Sequence, residues 1–165
     1  MWIVAKLNNN FKIFTKNFLN KNNDVKFYNP LIIIKKKKFN KIVDYESQLL
    51  NKYIFCYHQK FADKEYISKF KFIPGLDFFL PGYEIAQDEI NNFIDNCKKS
   101  ENEKGYLKNS FLRNYDFRKG KFLNGPFANM FFEIIEKQKN KIKIKVSNKV
   151  AFVEDSKEYF YQPIW

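Results

Sequence analysis

The chain has 165 residues, 45% hydrophobic and 19% aromatic, which suffices for one ordinary domain or two small ones with buried cores. Phenylalanine and isoleucine run throughout, so the excess of lysine and asparagine is not a disorder signature. The formal net charge of +12, from 30 basic and 18 acidic residues, suggests a polyanionic partner. By segment the balance is +9 over residues 1–60 (12 basic, 3 acidic), −4 over 61–97 (3 basic, 7 acidic) and +7 over 98–165 (15 basic, 8 acidic). Such a layout suits a molecule that meets a polyanion with one side, although solubility and an AT-rich coding sequence would give lysine too. Cys56 and Cys97 lack metal or redox spacing, and with His58 as the one histidine a zinc site is not expected. No apolar run approaches the ~18 residues of a membrane span. Met1 to Ala5 is too short for a signal-peptide core, so a cytoplasmic protein is expected.

Trp2 to Leu7 reads as a strand opening at the N-terminus, with Asn8 to Asn10 as turn and cap residues. Phe11, Phe14 and Phe18 recur at helical spacing, and Asn20 to Asp24 ends that helix. Val25 to Tyr28 is a short strand, and Pro30 marks a turn or edge. Leu31 to Lys37 and Lys41 to Tyr45 read as the arms of a hairpin with Lys38-Phe39-Asn40 at its tip. Tyr53 to Tyr57 is another apolar strand, followed by a short helix near Asp63 to Phe70. Pro74-Gly75 is a turn, Leu76 to Leu80 a strand, and Pro81-Gly82 a second turn. Gln87 or Asp88 can cap a helix whose apolar positions are Ile90, Phe93, Ile94 and Cys97. This order predicts an α+β fold with an N-terminal antiparallel sheet flanked by helices.

Lys98 to Leu107 is polar and reads as a linker. Beyond it, Lys141 to Val146 alternates lysine with β-branched residues, a half-buried strand with a lysine outer face. Lys139-Asn140 turns it against Phe131 to Glu136, and Val150 to Val153 and Tyr159 to Tyr161 add further strands. The expectation is a unit over 1–97, a linker over 98–112 and a small C-terminal β-barrel over 113–165. On a helix, Ile142, Ile144 and Val146 would form no coherent stripe, so strands are favoured over a helical hairpin.

Several local patterns, in order, now resemble one family. Met1-Trp2-Ile3-Val4 is similar to the opening strand of NusG-type N-terminal domains, Leu49 to Cys56 to their Phe-Pro-Gly-Tyr-Leu-Phe-Val block, and Ile73-Pro74-Gly75-Leu76 to their Thr-Pro-Gly-Val turn. Arg118-Lys119-Gly120-Lys121 and Asn124-Gly125-Pro126-Phe127-Ala128-Asn129 resemble the KOW motif, through Gly120, Gly125, Pro126 and Phe127. Asn51-Lys52 replaces the block's Pro-Gly, which is closer to RfaH-like paralogues, and Asn129 replaces the second KOW glycine. Asn visits positive φ more readily than most residues, so that replacement is sterically tolerable.

The resemblance implies a transcription elongation or antitermination factor without catalytic chemistry or cofactors, acting as a monomer away from membranes. It implies binding to the clamp helices of RNA polymerase through an apolar depression, at positions matching Lys6, Tyr53, Phe55 and Phe93. A place in the protein core would also account for those aromatics. The basic hairpin, with Lys35, Lys36, Lys37, Lys38, Phe39 and Lys41, would lie near the upstream DNA or the non-template strand, its lysines on phosphate and Phe39 stacked on an unpaired base. A solvated lysine run is the plainer reading. The KOW domain would recruit the ribosome or a termination factor. Tyr66 to Lys69 does not resemble the family's contact to the opposite polymerase pincer. His58 reads as a strand-end residue, and Asp63, Glu65, Asp77, Glu84, Asp88 and Glu89 lack metal-loop spacing. The alternative function is a KOW-type ribosome- or RNA-binding protein with no polymerase contact.

Overall fold

The computed structural model describes residues 1–8, 11–38, 41–108, 111, 118–123, 125–138, 141–154 and 161–164, with the side chains of 35–38, 42 and 161–163 outside the description. The elements in chain order are β1 (Trp2–Leu7), α1 (Phe11–Lys21), β2 (Lys26–Tyr28), β3 (Leu31–Lys38), β4 (Lys41–Gln48) and β5 (Tyr53–Tyr57). A 3-10 turn (Gln59–Ala62), α2 (Lys64–Ser68), β6 (Leu76–Phe79) and α3 (Gln87–Ser100) follow. The last strands are β7 (Lys119–Phe122), β8 (Phe131–Lys137), β9 (Lys141–Val146), β10 (Lys149–Glu154) and β11 (Tyr161–Pro163). The fold is α+β with antiparallel sheets. By contact it forms two compact units, Met1–Pro30 with Leu50–Lys99, and Leu31–Leu49 with Ser100–Trp165.

The first unit is built on a four-stranded sheet in the order β2-β5-β1-β6. Period-two alternation sends Ile3, Ala5, Leu7, Ile54 and Cys56 to one face, where they meet Phe14 and Phe18 of α1 together with Phe61 and Phe70. Phe18 stacks on Phe70 at 4.8 Å between ring centroids. Burying such a ring contributes about 1.5–3 kcal/mol, so this face is the core of the unit. Gly75 sets how closely α1 approaches. Its φ is +96°, its carbonyl accepts from Asn8 N at 3.1 Å, and a Cβ there would lie 2.8 Å from Phe14 N. His58 ends β5 and caps the 3-10 turn, its Nδ1 accepting from Lys60 N at 3.1 Å while its ring stacks on Tyr66 at 5.6 Å.

In the second unit, β3 and β4 pair over eight residues each, with Lys38 across from Lys41. The hairpin is longer than its sequence suggested, and Lys38 belongs to the ladder rather than to the tip. Residues 31–49, placed by sequence in the 1–97 unit, group by contact with residues 100–165. The stretch expected to be a linker is structured as far as it is described. α3 runs through Ser100, Glu101 bridges Leu107, and Leu31 bridges Tyr106. Asn102 Oδ1 accepts from the backbone N–H of Lys104 and of Tyr106, and Gly105 takes φ +78°, so a polar sequence closes a defined turn. Tyr106 Oη then donates to Glu46 at 2.9 Å, which pushes the phenol pKa up.

The remaining strands form a five-stranded antiparallel sheet, β10-β9-β8-β7-β11. Phe122, Phe132, Ile144, Val146 and Val153 are buried on its inner face, while Lys141 and Lys145 are exposed and Lys143 half-buried on the other, the alternation predicted for β9. The closed barrel is corrected to an open sheet across the described residues. All three residues of β11 pair with β7, and neither β10 nor β11 pairs with the other, whereas closure requires every edge to be paired. Of the strand expected over Tyr159 to Tyr161, Tyr161 opens β11, and 155–160 lie outside the described residues.

Candidate partner-binding face

Opposite its core, the first sheet carries a second aromatic face. Cross-strand register sets Trp2 against Tyr57, Val4 against Phe55 and Lys6 against Tyr53, and Tyr28 against Phe55 on the far side of β5. Trp2 and Phe55 meet edge to face at 6.4 Å, and Phe55 lies 5.6 Å from Phe93 of α3. The four polymerase-contact positions drawn from the sequence resemblance therefore fall on one side of the unit. They are not equally accessible. Phe55 is only 5% exposed, covered by Trp2, Tyr28 and Phe93, whereas Tyr53, Phe93 and Lys6 are half-buried. Phe55 is the floor of this face and cannot itself touch a partner while α3 stays in place.

The helix packs through buried Ile90, Ile94 and Cys97, and its first residue is tied to β1 by a side chain. Gln87, a candidate cap in the sequence, reaches back across 85 residues to Trp2 at the start of β1. Its Oε1 accepts from Trp2 N at 2.9 Å, and its Nε2 donates to Trp2 O at 2.8 Å and Tyr83 O at 2.6 Å. β6 pairs with β1 only at Ala5, Lys6 and Leu7, so the Gln87 amide continues the ladder where the strand has run out. The helix complements its own dipole, with Asp88 and Glu89 in the first turn and Lys98 and Lys99 in the last.

Lys6 is neutralised locally. Its Nζ lies 3.3 Å from Asp77 Oδ2 and 4.8 Å from the centre of the Phe78 ring. Phe78, 43% exposed, is the most open aromatic of this face and was not singled out in the sequence. The signal was present, because Phe79 faces the core and its neighbour must face away. Trp2 and Tyr28 were likewise read only as strand residues.

In the hairpin, register places Lys35 across from Asp44, Lys36 from Val43 and Lys37 from Ile42. Phe39 lies outside the described residues. The KOW-like residues sit at the β7–β8 connection. Gly120 is buried opposite Phe132, Gly125 O accepts from Ala128 N at 3.1 Å, and Phe127 lies 5.5 Å from Phe122. Exposed Pro126 is in the same turn. Asn129 has φ +69°, the conformation for which a glycine would ordinarily be used, and its N–H donates to Phe122 O at 2.8 Å. Asn51 also has positive φ, +54°. Among the described residues no group of His, Cys, Asp and Glu could hold a metal, and no helix is long and apolar enough to cross a membrane.

No family model matches the sequence, and no curated protein matches it. Among solved structures the chain is similar to one described as the MjSpt4:Spt5 complex in conformation B, at 13% identity and a TM-score of 0.31, over 99% of this chain and 98% of that one. A likeness at that score carries no argument about function.

Proposed function

We propose that the chain is a transcription elongation or antitermination factor of the NusG/RfaH type, which binds the clamp helices of RNA polymerase, suppresses pausing and recruits the ribosome or a termination factor through its KOW-like unit. The observation that carries this reading is the gathering of Lys6, Tyr53, Phe55 and Phe93 on one face of the first sheet, beside a half-exposed Phe78. An apolar face rimmed by charge can seat a pair of partner helices. The ordered sequence resemblance supplies the identity of that partner. In the same reading the hairpin with Lys35 to Lys38 and Lys41 lies on DNA at the transcription bubble or upstream duplex, and the factor acts as a cytoplasmic monomer.

The test is capture of purified RNA polymerase by the full chain. Because Phe55 is buried, its removal would confuse unfolding with loss of contact, so the informative variant pairs Tyr53→Ala with Phe78→Ala. Polymerase affinity should fall by roughly 2–4 kcal/mol if these rings are anchoring residues. A folded double variant that binds polymerase as the parent does would refute the assignment of this face. A parent chain that binds no polymerase at all would remove the polymerase reading, in favour of a ribosome or RNA binder.

A further inference from the structure

We propose that the outer face of the C-terminal sheet is a binding site for single-stranded RNA, with Phe131 and Phe152 as stacking platforms and the lysines of β7 and β9 as phosphate contacts. This goes beyond polymerase binding and stands whether or not that reading does. It would also give the alternative, an RNA binder without polymerase contact, its site.

An antiparallel sheet with one face on a core ordinarily shows water a polar face. Here the inner face is filled by Phe122, Phe132, Ile144, Val146 and Val153, yet Phe131 is 64% and Phe152 57% exposed on the opposite side. Neither ring closes a core in this unit. Register fixes their surroundings. Phe131 pairs with Lys121, and Phe152 with Lys143. Each ring has an ammonium near its face, Lys121 Nζ at 5.7 Å from Phe131 and Lys143 Nζ at 5.9 Å from Phe152. Between the two rings runs the row Lys119, Glu133, Lys145 and Val150, in which Glu133 is flanked in register by both lysines. With Lys141 beside Glu154, the face sets Lys119, Lys121, Lys141, Lys143 and Lys145 against Glu133, Glu136 and Glu154, so its net charge is positive.

Strand and residue spacings put the two rings roughly 17 Å apart, a separation that a few unstacked nucleotides can span. Beside Phe131 a shallow cavity of about 400 Å³ is lined by Lys119, Phe131, Glu133, Lys145 and Ile164 among others. It has room for one base, with an aromatic wall and a lining in which Lys119 and Lys145 outnumber Glu133. A base laid on either ring gains stacking, and the nearby lysine is free to meet the adjoining phosphate. A duplex keeps its base faces stacked internally, out of reach of a ring on the protein surface, so the aromatic pattern selects unpaired strands. A protein partner would find the rings equally apolar but would have to leave several lysines unmatched.

The experiment measures binding of the full chain to a fluorescent oligocytidylate of about a dozen nucleotides, by anisotropy. Phe131→Ala and Phe152→Ala leave the charge of the chain unchanged, hairpin lysines included, so they isolate stacking. Each should weaken binding about tenfold and leave the melting temperature in place, since both rings are exposed. Tryptophan at either position should restore binding, and a duplex of equal length should compete poorly. Should an alanine variant unfold, ring-proton shifts of Phe131 and Phe152 in the parent chain, moving upfield as RNA is added, give the same information. Undiminished binding by the folded double variant, equal competition by the duplex, or unmoved ring signals would each overturn the proposal and leave the face to a protein.

Discussion

Gln87 is the side chain whose replacement most directly tests how the aromatic face is held. It makes three hydrogen bonds to backbone groups, two to Trp2 and one to Tyr83, all partly buried. Gln87→Met keeps the length and removes all three. A hydrogen bond contributes about 0.5–1.5 kcal/mol net, and water can reach part of this site, so the variant should lose about 2–3 kcal/mol. Urea unfolding of the full chain, followed by fluorescence, would show a lower midpoint at unchanged slope. Gln87→Glu is the sharper probe. A carboxylate can still accept from Trp2 N–H, but it turns a second acceptor toward two carbonyls. At neutral pH it should be at least as unstable as the Met variant. On acidification the carboxyl gains a proton and can donate to one carbonyl. Its folded pKa is therefore raised, so part of the loss should be recovered as the pH falls toward the ordinary glutamate value and lost again as the pH rises. A Gln87→Glu variant as stable as the parent at pH 7 would refute the claim that the amide donates to Trp2 and Tyr83. A Gln87→Met variant losing under about 0.5 kcal/mol would refute the claim that it anchors α3.

Three further expectations follow from particular contacts. Gly75→Ala should destabilise the first unit by about 2–4 kcal/mol in thermal or urea unfolding, because φ is +96° and the new Cβ would press on the backbone of α1 at Phe14. Replacing Lys36, Lys37 and Lys38 by Ser should weaken DNA binding at every sequence and reduce the log–log salt slope by about 2–3; an unchanged slope would show that these lysines meet no phosphate. Cys56 and Cys97 are both buried, and burial pushes the Cys56 thiol pKa well up, so neither should react with a thiol reagent near pH 8 until the chain unfolds. Above the ordinary thiol pKa the unfolded chain releases the Cys56 proton while the folded one retains it, so this group's effect is a loss of stability as pH rises.

What the sequence made legible was local. The spacing of Phe11, Phe14 and Phe18 reports a helix because the same side of one turn recurs within a few residues, and Phe14 and Phe18 are indeed buried. The alternation from Lys141 to Val146 reports a strand for the same kind of reason. Asn129 was legible as a left-handed turn position because its own backbone preference is enough to allow it. The structured turn at 102–106 was missed because its order comes from one Asn side chain and a glycine, in a run whose composition resembles a flexible tether.

Which face of a sheet is free is a different kind of information. Period-two alternation divides Tyr53 to Tyr57 correctly into two sets, and Tyr53 and Phe55 do share a side. Nothing within those five residues says that α3, beginning more than thirty positions later, lays Phe93 over Phe55 and leaves Tyr53 half open. That covering comes with the burial of Ile90, Ile94 and Cys97 and with the Gln87 amide meeting Trp2, a contact made across 85 residues. The second sheet poses the same problem in reverse. Phe131 and Phe132 are adjacent and chemically identical, and the pairing of β8 with β7 and β9 decides which one enters the core. The register sends Phe132 inward to within 4.4 Å of Phe122 and leaves Phe131 beside Lys121, facing water. A ring in that position adds little to the stability of the fold, so its presence is better explained by something it binds.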